Sequence, residues 1–131
     1  MANSLIIVII HWWIKPTAQS EVEFLDFWVN KAKIKDKSKL TGEFLSQPLP
    51  AADFDYRVND FSAEDTDENV RHFMNVGIWE SAEAFHEEVG HNFNDSDPIE
   101  NFEAKRRTRT ILKPREYRIG CHPLPKSGSC E

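Results

Sequence analysis

Apolar and polar residues follow one another along the chain in blocks that predict the element order β-α-β-β-α-β. The first block, Leu5–Ile14, is apolar at every position except His11 and rich in β-branched residues, a pattern typical of a central strand covered on both faces. Pro16 ends this strand because proline has no backbone N–H to donate to a sheet. The chain's own helices can cover one face, and a second copy of the chain is the simplest cover for the other.

A helix is predicted after this strand, with Thr17 or Ser20 as its N-cap. It is expected to end near Lys33 and to bury one apolar stripe on the sheet. The predicted stripe consists of Val22, Leu25, Trp28, Val29 and Ala32. Leu40–Gln47 predicts the second strand, which Pro48 stops.

A long acidic connection, residues 51–71, joins the second strand to the third. Connections of this length in compact domains are usually lids, additional small elements or disordered segments. The alternation of Phe54, Tyr56 and Val58 leaves open a short strand within it. Calcium binding by its carboxylates is an alternative, although the chain has no glycine-pivoted EF-hand loop.

Residues 72–90, HFMNVGIWESAEAFHEEVG, predict a short strand that runs directly into a capped helix. Alternate residues of a strand share a face, so one face holds His72, Met74, Val76 and Ile78, and the other holds Phe73, Asn75, Gly77 and Trp79. Ser81 is the predicted N-cap, and Gly90 is expected to end the helix. The predicted buried stripe of this helix is Ala82, Phe85 and Val89. We expect the helix to pack on the sheet and the face with Asn75 and Trp79 to need another cover.

The chain after this helix predicts one more strand. Pro98 is expected to begin a short helix that ends near Ala104, and Lys105–Ile119 predicts the last strand. On this strand Arg107 and Arg109 are expected as exposed charges that protect a sheet edge. Binding of a substrate carboxylate by these two arginines is the alternative.

Composition narrows the classes of function. The chain has 131 residues and a net charge of −6, which disfavours a nucleic acid as partner. Residues 1–120 are expected to form one domain with the acidic insert at 51–71, followed by an irregular tail at 121–131. Neither a signal peptide nor a membrane span is evident, so we expect a cytoplasmic protein. Cys121, His122 and Cys130 lack the spacing of a zinc site, and we expect no metal.

The element order predicts an α+β fold of the ferredoxin-like βαββαβ type, with an antiparallel sheet and both helices on one face. The bare face of that sheet is too apolar to lie in water, so we expect a homodimer through the sheet faces. The phrase Asn75-x-x-x-Trp79-Glu80-Ser81-x-Glu83-Ala84-Phe85, the strand-Pro-helix opening and the Arg-rich last strand resemble the antibiotic biosynthesis monooxygenase superfamily. The resemblance covers roughly residues 5–50 and 70–120 and implies a dimeric α/β barrel.

The resemblance also implies a reaction. Cofactor-independent oxygenases of this superfamily act on polycyclic phenols and use Asn and Trp on this strand, to which Asn75 and Trp79 correspond. Phe85 stands where some members carry a tyrosine. On this reading the protein oxygenates a small aromatic or polycyclic compound without metal or flavin. His11, a polar group in an apolar strand, is the expected general base.

Other side chains are expected to line the substrate site. They are Trp13, Phe73, Phe85, His86 and Thr110. The haem-degrading branch of the superfamily is one alternative and needs an axial histidine late in the second helix, for which His86 lies too early and His91 slightly too late. A non-catalytic module that binds a small apolar ligand or acts as a scaffold is the other alternative.

Overall fold

The computed structural model of the protein describes residues 4–32, 34–59, 61, 70–90, 95 and 98–125. Its main elements in chain order are β1 (Ile6–Ile14), α1 (Ala18–Asp26), β2 (Leu40–Ser46), β3 (Arg71–Trp79), α2 (Ala82–Phe85) and β4 (Glu103–Leu112). Each helix continues into a π-helical turn, Phe27–Lys31 after α1 and His86–Gly90 after α2. The predicted order of these elements is confirmed.

The four strands form one antiparallel sheet in the order β2-β3-β1-β4. The two central strands are the apolar β1 and β3, paired so that Ile10 lies opposite Asn75. Side chains of both helices pack on the same face of the sheet, where Phe24 of α1 contacts Phe73 and Phe85 of α2 contacts Trp79. This α+β arrangement is compatible with the predicted ferredoxin-like fold.

An aromatic cluster fills the space between α1 and the sheet. Phe24 is fully buried, with its ring centroid 5.1 Å from that of Trp12 and 5.0 Å from that of Phe73. The predicted stripe of α1 is wrong in its first half, since Val22 and Leu25 are 62% and 40% exposed. The helix is rotated so that its phenylalanines face the sheet, because aromatic side chains bury the largest apolar area.

Side-chain hydroxyls begin both helices. Thr17 is the N-cap of α1, and its Oγ1 accepts a hydrogen bond from the backbone N–H of Ser20 at 3.1 Å. The alternative cap, Ser20, is instead a buried residue of the first turn. Ser81 caps α2 as predicted and accepts from the N–H of Ala84. Ala84 is buried whereas Ala82 is exposed, so the buried stripe of α2 begins two residues later than predicted.

The C-terminal third differs from its prediction. Pro98 does not begin a helix, and the chain enters β4 at Glu103. The strand ends at Leu112, before Pro114, because a proline cannot continue the ladder. Arg107 is buried rather than exposed, and its guanidinium pairs with Glu103 at 2.8 Å on the covered face. The carboxylate of Glu103 compensates for the hydration that the guanidinium loses on burial, so Arg107 can remain inside.

Residues 113–125 contain neither helix nor strand, so the predicted last strand, Lys105–Ile119, is wrong beyond Leu112. Residues 126–131 of the predicted tail lie outside the described residues. In the acidic connection Ala51–Asp53 forms a 3-10 turn, and 54–59 form no strand, so the short strand left open there is absent. Residues 60 and 62–69 of this connection also lie outside the described residues.

The second face of the sheet carries neither α1 nor α2, and Phe61 of the acidic connection packs at one end of it, with its ring centroid 5.1 Å from that of His72. Its central residues are half-buried and mostly apolar, and they pair across the strands as Ile7 with Ile78 and Ile9 with Val76. Phe44 of the edge strand extends this apolar surface. We call it the uncovered face, in contrast to the covered face under the helices. Within the described ranges, no helix has the length and apolar character needed to cross a membrane.

Candidate functional site

Asn75 and Trp79 lie on the covered face of the sheet, which corrects the prediction that they face away from their helix. They are 3% and 1% exposed. The ring of Phe85 meets the indole of Trp79 edge-on, with centroids 5.8 Å apart. Helix α2 therefore packs directly on the strand face that carries these two residues, because Trp79 is the largest apolar side chain that the strand offers it.

Glu43 of the edge strand β2 is the hydrogen-bond partner of Asn75. The amide Nδ2 of Asn75 donates to Oε1 of the carboxyl group. Burial raises the pKa of Glu43, and the hydrogen bond from Asn75 and the charge of Lys37 offset part of this rise. Sequence reasoning missed Glu43. The available signal was its phase, since it shares a strand face with Leu45 rather than with the outward Phe44.

Gly77 allows the indole of Trp79 to approach this pair. A Cβ atom at Gly77 would lie 2.9 Å from Nε1 of Trp79 and 3.9 Å from Cγ of Glu43. Gly77 also pairs directly with Glu43 across the two strands. An amide, a carboxyl group and an indole therefore meet on one side of β3, and we call Asn75, Glu43 and Trp79 the Asn75 cluster.

Two spaces adjoin Asn75 and Glu43, and Trp79 lines neither of them. A groove of about 240 Å³ runs between the C-terminal end of α1 and strand β2. Its lining is mainly apolar and includes Val29, Leu40, Phe44 and Leu124. A cavity of about 20 Å³ lies deeper, beside Asn75. Glu43 lines both spaces, as do two residues of the first helix's last turns, Trp28 and Ala32.

The small cavity has polar atoms without partners in its wall. Asn75 Oδ1 and Trp12 Nε1 are buried, and neither has a hydrogen-bond partner in the described part of the chain. Both residues line the cavity. A buried polar atom without a partner costs about 1–3 kcal/mol, so native proteins usually pair it with a ligand, a water or a neighbour. One acceptor and one donor are thus available to a small polar guest.

His11, the expected base, lies on the opposite face of the sheet. Its neighbour Ile10 is opposite Asn75, so His11 must project the other way. His11 Nδ1 lies 3.4 Å from Nε2 of His72, and His11 Nε2 lies 3.2 Å from Oγ1 of Thr110. Trp13 stacks on His11 on the same uncovered face. The structure therefore brings His11, Trp13 and Thr110 together, but away from the Asn75 cluster.

The remaining predicted site residues have separate positions. Phe73 belongs to the aromatic cluster under α1, and Phe85 packs on Trp79. His86 is exposed on the π-helical turn after α2 and lines neither the groove nor the small cavity, so it does not fit an axial haem ligand in that space. His91, the other haem candidate, lies outside the described residues. Among the residues described, no group of three or more His, Cys, Asp or Glu side chains is arranged to hold a metal ion.

A buried carboxyl group with a raised pKa is a stronger base, once ionised, than one in water. Glu43 is half-buried and its pKa is raised, and Asn75 holds it where the linings of the apolar groove and the small cavity meet. The arrangement can bind an apolar molecule and move a proton at its polar edge. Comparison of the chain with protein-family models and with curated proteins finds no match.

Proposed function

We propose that this protein oxygenates a small aromatic or polycyclic compound without metal or flavin, with Glu43 as the general base. The observation that carries the proposal is the hydrogen bond between Asn75 and Glu43 at the inner end of the apolar groove. The resemblance of the Asn75-to-Phe85 phrase to cofactor-independent oxygenases gives additional support. Glu43 takes the role that sequence reasoning gave to His11, because His11 lies on the other face of the sheet.

The two spaces differ in size in a way that suits two reactants. The groove of about 240 Å³ accepts a small aromatic molecule between Trp28 and Leu40. The cavity of about 20 Å³ exceeds the roughly 10–15 Å³ that a single water needs, so it has room for a molecule of the size of O₂. Asn75 and Glu43 both line the cavity, so the base and the amide both lie beside the proposed oxygen site.

The proposed substrate has an acidic methylene group between two aromatic rings. The carboxylate of Glu43 removes one C–H proton, and the electron pair left on carbon reduces O₂ and forms a C–O bond. The resulting peroxide anion takes the proton back from Glu43. Loss of one water, with cleavage of the O–O bond, converts the CH–OOH group to C=O. One CH₂ group and one O₂ thus give one C=O group and one H₂O. Asn75 orients the carboxylate and the peroxide by hydrogen bonding.

We further propose that two copies pack through their uncovered faces as a dimeric α/β barrel. The support is the half-buried, apolar character of the pairs Ile7–Ile78 and Ile9–Val76 at the centre of that face. Large exposed apolar patches on soluble proteins usually mark interaction sites.

The apolar lining of the groove also favours a second function, the binding of an apolar ligand without chemistry. Apart from Glu43 and Lys37, the groove is lined by uncharged residues. A binding module would take up aromatic ligands there and leave O₂ unconsumed. The two functions are therefore separated by one measurement made on the same complex.

The test is oxygen uptake by the full chain with a panel of anthrones and hydroquinones. We expect uptake by the wild type, and a fall in kcat of about 10²-fold or more in Glu43→Gln, the range typical of a lost general base. Asn75→Ala is expected to lower kcat as well. The matched control is Glu116→Gln, an exposed carboxylate of the C-terminal segment, which should leave the rate unchanged.

A third variant separates the two candidate bases. His11→Gln should retain the rate if Glu43 is the base. Activity that is lost in His11→Gln and kept in Glu43→Gln would overturn the assignment of Glu43. Ligand binding without oxygen uptake, across the whole panel, would replace the oxygenase by the binding module.

A further inference from the structure

The uncovered face carries a pair of histidines whose spacing matches that of two ligands on one metal ion. Nδ1 of His11 and Nε2 of His72 lie 3.4 Å apart. Two nitrogens bound to a tetrahedral zinc at about 2.0–2.1 Å lie about 3.3–3.4 Å from each other. The two residues are diagonal neighbours on the two central strands, since His11 lies opposite Met74 and His72 lies opposite Trp13. Rigid strands therefore hold the pair at the separation that a metal requires.

The surroundings of His11 favour the ring state that binds a metal. Its second ring nitrogen, Nε2, lies 3.2 Å from the hydroxyl oxygen of Thr110, which can accept its proton. In the tautomer in which Nε2 donates to Thr110, the lone pair is on Nδ1, the nitrogen that faces His72. Histidines that bind metals usually donate their other N–H to such an acceptor, which fixes the tautomer and the ring orientation. The ring of Trp13 stacks on His11 at 5.9 Å and restricts it further.

The pair also has open space in front of it. His11 and His72 line a bowl of about 360 Å³ whose other walls include Trp13, Phe61 and Lys105. Waters can occupy the coordination positions that two histidines leave empty. Lys105 is the unfavourable neighbour, since its ammonium lies 4.5 Å from the centre of the Trp13 ring at the edge of the same bowl.

We propose that His11 and His72 form a two-histidine site for a divalent transition metal of the Zn²⁺, Ni²⁺ or Cu²⁺ class. Imidazole nitrogens suit these ions, and Cu²⁺ is expected to bind most tightly of the three. In one chain the site is completed by water. In a dimer packed through the uncovered faces, the same pair from a second copy is the alternative completion. The site is separate from the Asn75 cluster, because the sheet lies between them.

The test is calorimetric titration of the full chain with Zn²⁺, Ni²⁺ and Cu²⁺ in a buffer that does not bind metals. We expect a fall in affinity of tenfold or more in both His11→Gln and His72→Gln. His122→Gln, in the exposed C-terminal segment, is the matched control and should bind as the wild type does. Circular dichroism checks that each variant is folded, and the visible absorption of bound Cu²⁺ reports nitrogen ligation independently of heat.

Lys105→Ala distinguishes a cation from an anion in the bowl. If the bowl binds a metal cation, removal of the Lys105 ammonium should raise the affinity, because the two positive charges repel. If the bowl binds an anion, the same removal should lower the affinity. A binding stoichiometry of one metal ion per chain, or of one metal ion per two chains, supports the site. Binding that is unchanged in both histidine variants, or that is lost with His122→Gln instead, would overturn it. Oxygen uptake plays no part in these readouts, so the site and the proposed oxygenase fail separately.

Discussion

The amide of Asn75 donates a hydrogen bond to the carboxyl group of Glu43 across two neighbouring strands, under the helices of the protein. The contact joins a central strand to the edge strand that forms one wall of the groove. A carboxyl group at this depth is expensive to ionise, and its position beside a ligand-sized space is the usual setting of a functional acid or base. The ionisation of Glu43 therefore affects both the free energy of unfolding and the proposed proton transfer.

The first prediction concerns the pH dependence of stability. Burial raises the pKa of Glu43 in the folded chain above its ordinary value of 4.5. As the pH rises above that value, the unfolded chain releases this proton while the folded chain still holds it, so Glu43 lowers the free energy of unfolding progressively until its raised pKa is passed. Glu43→Gln keeps an acceptor for Asn75 and removes the titration. We expect the variant to lose less stability than the wild type between pH 4.5 and pH 8.

Urea denaturation at a series of pH values measures this difference. Glu116→Gln, whose parent carboxylate is exposed, is the control and should follow the wild-type curve. A Glu43→Gln curve parallel to that of the wild type over the whole range would show that the carboxyl group is not held in an unfavourable environment.

The two central strands were predictable from sequence because each is a mainly apolar run, as Leu5–Ile14 shows. Which helix face is buried was harder to predict. Helix α1 offers two apolar stripes, and Phe24 rather than Leu25 faces the sheet. Only the packing of several elements together decides between them. The same limit applies to Glu43, because strand phase places it on the face of Leu45 but does not reveal a partner 32 positions away.

The second prediction concerns Gly77, which leaves room for the indole of Trp79. In Gly77→Ala the new methyl group would lie 2.9 Å from Nε1 of Trp79. The indole is 1% exposed, so it can move away only by displacing the side chains packed around it. We expect a loss of about 1–3 kcal/mol in the free energy of unfolding, as for other overpacked cores, together with a change in tryptophan fluorescence.

Gly120→Ala is the matched control, because a Cβ at Gly120 meets no atom within 4 Å. Its effect should stay within about 0.5 kcal/mol, as is usual for surface substitutions. Equal stabilities of the two alanine variants would mean that Trp79 does not depend on the absence of a side chain at residue 77.

The third prediction concerns the proposed dimer. Val76 lies at the centre of the uncovered face, opposite Ile9 on one neighbouring strand and Phe44 on the other. A carboxylate at this position would be buried without a partner between two apolar sheets. Changes at such central interface residues typically cost about 2 kcal/mol or more of binding free energy, which is roughly 30-fold in Kd. Light scattering should therefore give twice the chain mass of 15.2 kDa for the wild type at micromolar concentration and a mass near 15.2 kDa for Val76→Glu.

Val22→Glu places the same charge on the exposed side of α1 and should remain a dimer, since that residue is already 62% exposed. A wild type with the mass of a single chain at this concentration would overturn the proposed dimer.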